Sequence, residues 1–152
     1  MLRFLLSIFF SIFLINNNYA AREGTGYNRG LNNKNISTIN DLLDNQNYKK
    51  SIELIKLEIK KDKSNADLYN YLGYAYRKSG NFVLSIQNYK EALRLNPNHS
   101  EAHNYIVIAY IKVGEIERAI FHLKILEKLC AAKCEEYKSL EVKLNNILKN
   151  EN

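Results

Sequence analysis

Apolar positions recur at helical spacing through most of this chain, in short blocks separated by turn-forming residues. Between Leu68 and Lys78, the residues Leu68, Leu72, Ala75 and Tyr76 share one face; between Phe82 and Leu95, so do Phe82, Ile86, Tyr89, Ala92 and Leu93. Ser79-Gly80-Asn81 lies between the two blocks and supplies a residue tolerant of positive φ where the first helix must stop. Asn96-Pro97-Asn98 closes the second block, because proline cannot continue a helix, and Ser100 is placed to cap the next one. The pattern predicts two amphipathic helices joined by a tight turn. A final block, Glu135 to Lys149, sets Tyr137, Leu140, Leu144, Ile147 and Leu148 on one face against Glu, Lys and Asn on the other. It predicts a closing helix.

The helix pair is one of a series. A single fixed offset along the chain lays Asn70 on Asn104, Tyr71 on Tyr105, Leu72 on Ile106, Ala75 on Ala109, Tyr76 on Tyr110 and Gly80 on Gly114. The same offset taken towards the N-terminus pairs Leu42 with Tyr76, Tyr48 with Phe82 and Ser51 with Ser85. Three units result, over 32–65, 66–99 and 100–133, followed by a capping helix over 134–150. A single unit cannot bury its own apolar face, so stability requires stacking into an all-α superhelical solenoid. Small residues such as Gly73, Ala75, Ser85, Ala92, Ala109 and Ala119 let helices approach, and Tyr76, Tyr89 and Tyr110 fill the space between pairs.

The start of the chain follows a different pattern. Met1-Leu2-Arg3 is a short positive start, and Phe4 to Ile15 is almost unbroken Leu, Ile and Phe. About a dozen apolar residues fall short of the roughly twenty that cross a bilayer as a helix. Asn16-Asn17-Asn18 breaks the run, and Ala20 supplies the small residue that a signal peptidase needs before its cut. The reading is a signal peptide over residues 1–20, cleaved near Ala20, which places the protein in an exported, periplasmic setting. An uncleaved N-terminal anchor stays open, because Asn18 is not the small residue usual two places before the cut. Residues 21–31 hold three of the six glycines and no periodicity, as a flexible leader would.

Composition narrows the function classes. A chain of 152 residues with 46% apolar and 25% charged residues is the size of one domain, and is neither a disordered chain nor a multi-pass membrane protein. The net charge of +6 is spread over Lys-rich helix surfaces with interleaved Glu and Asp, the pattern of a solvated face and not of a nucleic-acid stripe.

Tyr69-x-x-Leu72-Gly73-x-x-Tyr76, followed by Ser85, Tyr89, Ala92 and Pro97, resembles the tetratricopeptide repeat (TPR) along its full length. The third unit keeps Ile106, Tyr110, Gly114 and Ala119 but has Val107 for the family's glycine and no closing proline. The first is weakest, with Gln46 where the turn glycine stands elsewhere. The resemblance implies a groove formed by the first helix of each unit. Its matching positions here are Asn70, Tyr74, Arg77, Lys78, Asn104, Ile108, Ile111 and Lys112, with Ile36, Asn40 and Leu43 added by the first unit.

Asn70 and Asn104 would hydrogen-bond an extended backbone, Tyr74, Ile108 and Ile111 would take apolar side chains, and Arg77 with Lys112 would attract carboxylates. The family's carboxylate clamp is not reproduced, so binding of chaperone tails is not carried over. The implied function is a scaffold or adaptor for a protein or extended peptide, its identity unknown. Self-association within an envelope assembly is the alternative, and a Cys-dependent redox or metal protein a more distant one.

Cys130-Ala131-Ala132-Lys133-Cys134 lies where the third unit meets the closing helix. In an oxidising compartment a disulfide between Cys130 and Cys134 would set the angle of that helix; two reduced, partly buried thiols are the alternative. These cysteines and the following Glu135-Glu136-Tyr137 are also similar to small exported TPR proteins of alphaproteobacteria. His99 and His103 stand four apart, a spacing that invites a metal reading, but the repeat puts His99 in a turn and His103 at the packing position of Tyr69. His122 reads as too far along the next helix to join them. No metal site and no cofactor are expected. The chain has no Gly-x-Ser-x-Gly, phosphate loop or His-Glu-x-x-His, so no enzyme is expected either.

Overall fold

A computed structural model describes residues 33–130 and 134–150. The expected signal peptide over 1–20 and leader over 21–31 lie outside the described residues. Among these residues the chain forms α1 (Asn33–Asp44), α2 (Tyr48–Lys61), α3 (Ala66–Lys78), α4 (Phe82–Leu95), α5 (Ser100–Lys112), α6 (Ile116–Leu129) and α7 (Glu135–Asn150). Each helix packs on the next, α3 on α4 most extensively, while α5 also reaches α3 and α7. The result is the all-α succession of stacked hairpins that the periodicity predicts.

The turn inside each hairpin has one geometry, recurring at the repeat spacing. Gln46, Gly80 and Gly114 have φ of 56°, 85° and 77°. The residue after each donates its backbone N–H to a carbonyl five positions back: Asn47 to Leu42 (2.8 Å), Asn81 to Tyr76 (2.8 Å) and Glu115 to Tyr110 (3.0 Å). This closure satisfies carbonyls at the helix end and requires one left-handed residue. Gln46 adopts that conformation without the freedom glycine has. Gln46→Gly is therefore expected to stabilise the domain by roughly 0.5 kcal/mol, a rise in Tm of about 2–4 °C read by thermal circular dichroism.

The helix starts are also specified locally. The Asn65 side chain accepts from the N–H groups of Asp67 (3.0 Å) and Leu68 (3.4 Å), and that of Asn81 accepts from Leu84 (3.1 Å). At α5 the expectation needs correction: Ser100 is the first helical residue, and His99 is the cap, its Nδ1 accepting from Ala102 N–H at 3.4 Å. His99 stands one repeat length after Asn65 and does the same work with a ring nitrogen.

Among the described residues two apolar clusters form the core. One joins α1, α2 and α3 through Ile39, Leu43, Ile55, Leu68, Leu72 and Ala75. The other gathers Tyr89, Ile106, Tyr110, Leu123 and Leu126 with α7, which contributes Tyr137, Leu140 and Leu144. Leu148, expected on the covered face of α7, is 37% exposed in its last turn.

Gly73 permits a close approach between α3 and α4. A Cβ there would come within 2.7 Å of Tyr89 ring carbons, so this glycine is what lets the fully buried ring lie against α3. Glu58, buried at 4% exposure, is held by Asn35 Nδ2 (3.0 Å) and Lys61 Nζ (2.6 Å), a polar tie between α1 and α2.

Candidate functional site

The first helices of the three hairpins stand side by side, and a cleft of about 280 Å³ lies between them. Asn40, Leu43 and Asp44 reach it from α1, Asn70, Tyr71 and Tyr74 from α3, and Tyr105 from α5. Asn40, Leu43, Asn70 and Tyr74 are among the positions implied by the repeat. Asp44, Tyr71 and Tyr105 are additional. The repeat offset already pairs Tyr71 with Tyr105, and that recurring aromatic was the signal available for them.

Asn70 is not the open backbone-binding group expected from its repeat position. It is 2% exposed, and its Nδ2 donates to Glu101 Oε2 at 3.1 Å, tying α3 to α5. Its Oδ1 is buried without a hydrogen-bond partner. Asn104, its repeat equivalent, is half-buried and does not line the cleft.

Arg77 also differs from the exposed carboxylate-attracting cation expected. Its guanidinium lies 5.1 Å from the Tyr74 ring centroid and 5.2 Å from that of Tyr105, and its Nε donates to Tyr89 Oη at 3.4 Å. Tyr74 and Tyr105 are themselves 5.3 Å apart, so the arginine and the rings form one wall. Burial is the main reason the Tyr89 phenol is pushed far above its ordinary range, which keeps it neutral.

Lys78 is exposed, 5.9 Å from the Tyr74 ring, and Lys112 is exposed in the last turn of α5. Ile108 and Ile111 are half-buried against the C-terminal cluster, and Ile36 against the N-terminal one. The wall that the repeat assigns to ligand is thus partly occupied by the protein's own packing.

The histidines group differently from the sequence reading. His99 Nε2 lies 3.1 Å from Asp67 Oδ1. His103 instead meets His122, judged too distant in sequence: their Nδ1 atoms are 3.0 Å apart. The reason is topological, since α5 and α6 run antiparallel and bring residues 19 apart side by side. Among the described residues no group of three or more His, Cys, Asp or Glu is arranged to hold a metal ion.

Cys130 and Cys134 are paired at the α6–α7 junction, with Cα atoms 5.7 Å apart. Both also pack against the C-terminal cluster. Residues 131–133 between them lie outside the described residues.

Two family profiles, each described as a tetratricopeptide repeat, match residues 66–99 and 88–121. Together the two matches span residues 66–121. The TPR fold of the chain is similar to that of the second TPR domain of human RPAP3, solved in complex with the HSP70 peptide SGPTIEEVD. That match has TM-score 0.68 and 19% identity, over 73% of this chain and 92% of that one. The TPR2B domain of yeast Sti1, solved as a pHsp70 complex, matches with TM-score 0.70 and 19% identity over 74% and 94%. The Yersinia enterocolitica type III secretion translocator chaperone SycD matches with TM-score 0.66 and 17% identity over 77% and 80%. A search of curated protein sequences finds no match. Among the described residues no helix of the TPR domain is long and apolar enough to cross a membrane.

Proposed function

We propose that this TPR protein is an exported, non-catalytic adaptor that holds an extended peptide or protein segment in the groove of α1, α3 and α5. The observation that carries this reading is the cleft where three helices converge, lined by Tyr71, Tyr74 and Tyr105 together with Asn40, Asp44 and Asn70. Rigid aromatic side chains give large contact area at small entropic cost, as recognition of a peptide requires. Solved TPR domains with peptides support the mode of binding at the level of fold, and the identity of their peptides is not transferred. Export is supported by the charged start, apolar run and Ala20 at the N-terminus, and a paired Cys130–Cys134 suits an oxidising compartment.

The test begins with the full chain expressed in a Gram-negative host, its mature mass measured, and the purified protein used to select from a displayed library of random linear peptides. Selected peptides are expected to bind the wild-type protein at least about tenfold more tightly than a Tyr71→Ala, Tyr105→Ala variant of unchanged helicity. Equal affinity for both proteins would move the contact surface out of the groove. An absence of binders together with oligomers in light scattering would favour the self-association reading instead.

A further inference from the structure

We infer that the cleft seats a basic side chain, lysine or arginine, of the bound segment; this rests on the peptide-binding reading above. The groups that line it are acceptors and π faces: the Asp44 carboxylate, the Asn40 and Asn70 amides, and the rings of Tyr71, Tyr74 and Tyr105 around Leu43. None of these lining residues carries a positive charge.

Asp44 is the last residue of α1, and the last turn of that helix contains no basic residue. The carbonyl end of the helix therefore adds negative potential to the carboxylate, with no cation on the helix's last turn to offset it. Among the described residues Asp44 has no ion-pair partner.

The second, independent observation is Asn70. It is 2% exposed, and its Nδ2 is committed to Glu101, which fixes the orientation of the amide. Oδ1 is left as a buried acceptor without a donor. A native protein rarely leaves such an atom unsatisfied, because doing so costs about 1–3 kcal/mol. An ammonium or guanidinium group provides donors for Asp44, Asn40 and Asn70 together, which neither an apolar side chain nor a carboxylate does.

The ring faces suit the same ligand. Arg77 already rests at cation–π distance over Tyr74 and Tyr105, which shows that this wall accepts a guanidinium. The charge of Arg77, with Lys78 beside it, also sets the polarity of the groove. The ligand's cation belongs beside the Asp44 carboxylate, and an acidic or carbonyl group of the same segment belongs beside Arg77. The overall charge of +6 gives no long-range attraction for such a peptide, so the preference arises inside the cleft.

The peptide selection described above reads this directly. Sequences enriched by the full-length wild-type protein are expected to share a Lys or Arg at one position. By fluorescence polarisation, replacing that residue with norleucine should weaken binding about tenfold for wild type and by less than about twofold for an Asp44→Asn variant. Because the lysine-to-norleucine comparison on wild type alters only the peptide, it holds even if the variant folds poorly. Affinity for the lysine peptide should fall between about 50 and 500 mM salt while that for the norleucine peptide changes little. Binders that map to the groove with no basic position, or with an acidic residue at the cleft, would overturn the inference and leave the groove reading standing. Failure to recover any groove-dependent binder would overturn both.

Discussion

Replacing Tyr89 with alanine is expected to lower the unfolding free energy by about 3–5 kcal/mol, the range for removing a buried aromatic side chain. Tyr89 is wholly buried and, among the described residues, is the largest of the fully buried side chains. From α4 its ring lies against Gly73 of α3, stands 6.1 Å from the Tyr105 ring of α5, and accepts a hydrogen bond from Arg77. One residue therefore joins three helices, and the void left by its removal cannot be filled by a neighbour on its own helix.

A domain of this size has a total stability of about 5–15 kcal/mol, so the loss is a large share of it. Thermal circular dichroism should show Tm falling by more than about 10 °C. A fall of under about 4 °C would mean that α3 and α5 close over the gap, against the close packing seen at Gly73. The same variant also releases Arg77 from its anchor, so groove binding should weaken even where the helices persist at low temperature.

Acidification is expected to destabilise the domain through the α5–α6 hairpin. His103 Nε2 lies 3.0 Å from the Pro97 carbonyl oxygen, which only accepts, so Nε2 holds the proton and donates it. His103 Nδ1 is then an acceptor, and His122 Nδ1, 3.0 Å away, is its donor. This arrangement needs the His103 ring neutral so that its Nδ1 can accept, while the His122 ring, a donor in either state, is kept neutral by its burial. The groups around the pair add to that requirement: His99 acts on His103, and Lys90 of α4 acts on His122. The His122 ring also stacks on Tyr110 at 5.8 Å, with Arg118 over the same tyrosine, and meets the edge of Phe121 at 5.2 Å.

Burial is the first cause lowering both histidines, and it pushes His122 down to about 4, helped by His103 and Lys90. An unfolded histidine titrates near 6.5, so between about pH 6.5 and 4 the unfolded chain binds protons that the folded one refuses. The contribution is complete above about pH 6.5 and is lost as pH falls through that window, by roughly 1–2 kcal/mol at its lower end once solvent screening of the half-buried rings is allowed for. Urea unfolding at pH 7.5 and 4.5 measures the difference. His122→Asn keeps an amide donor near His103 and removes one titrating ring, so its pH difference should be smaller by about half or more. An unchanged difference would assign the acid sensitivity to carboxylates elsewhere.

What could be read along the chain were the features that depend on local spacing. The repeat aligns Gly80 with Gly114, and the backbone shows the same left-handed turn at both and at Gln46, where the residue type alone gave no such signal. Gly73 stood out as a small residue that lets helices approach and Tyr89 as one that fills space between them, and the two are in contact. The facing of these helices was legible for the same reason, because residues on the first helix of each unit inherit it from the repeat: Asn40, Leu43, Asn70 and Tyr74 line one cleft.

The environment of each groove residue was not legible. Repeat position does not reveal that Glu101 takes the Asn70 amide or that Arg77 is held between tyrosines, because these contacts join different helices. His103 and His122 are a still clearer case, separated by 19 positions and adjacent only because α5 and α6 run antiparallel.

The sequence by itself determined the all-α hairpin series, its turns and its stacking order, since helical periodicity, caps and left-handed residues act over three to five positions. Only the tertiary structure decided which side chains meet across neighbouring helices, and so which polar groups are satisfied and which are not. That outcome depends on crossing angles and axial offsets between helices, which are set by the packing of whole faces and not by any local run of residues.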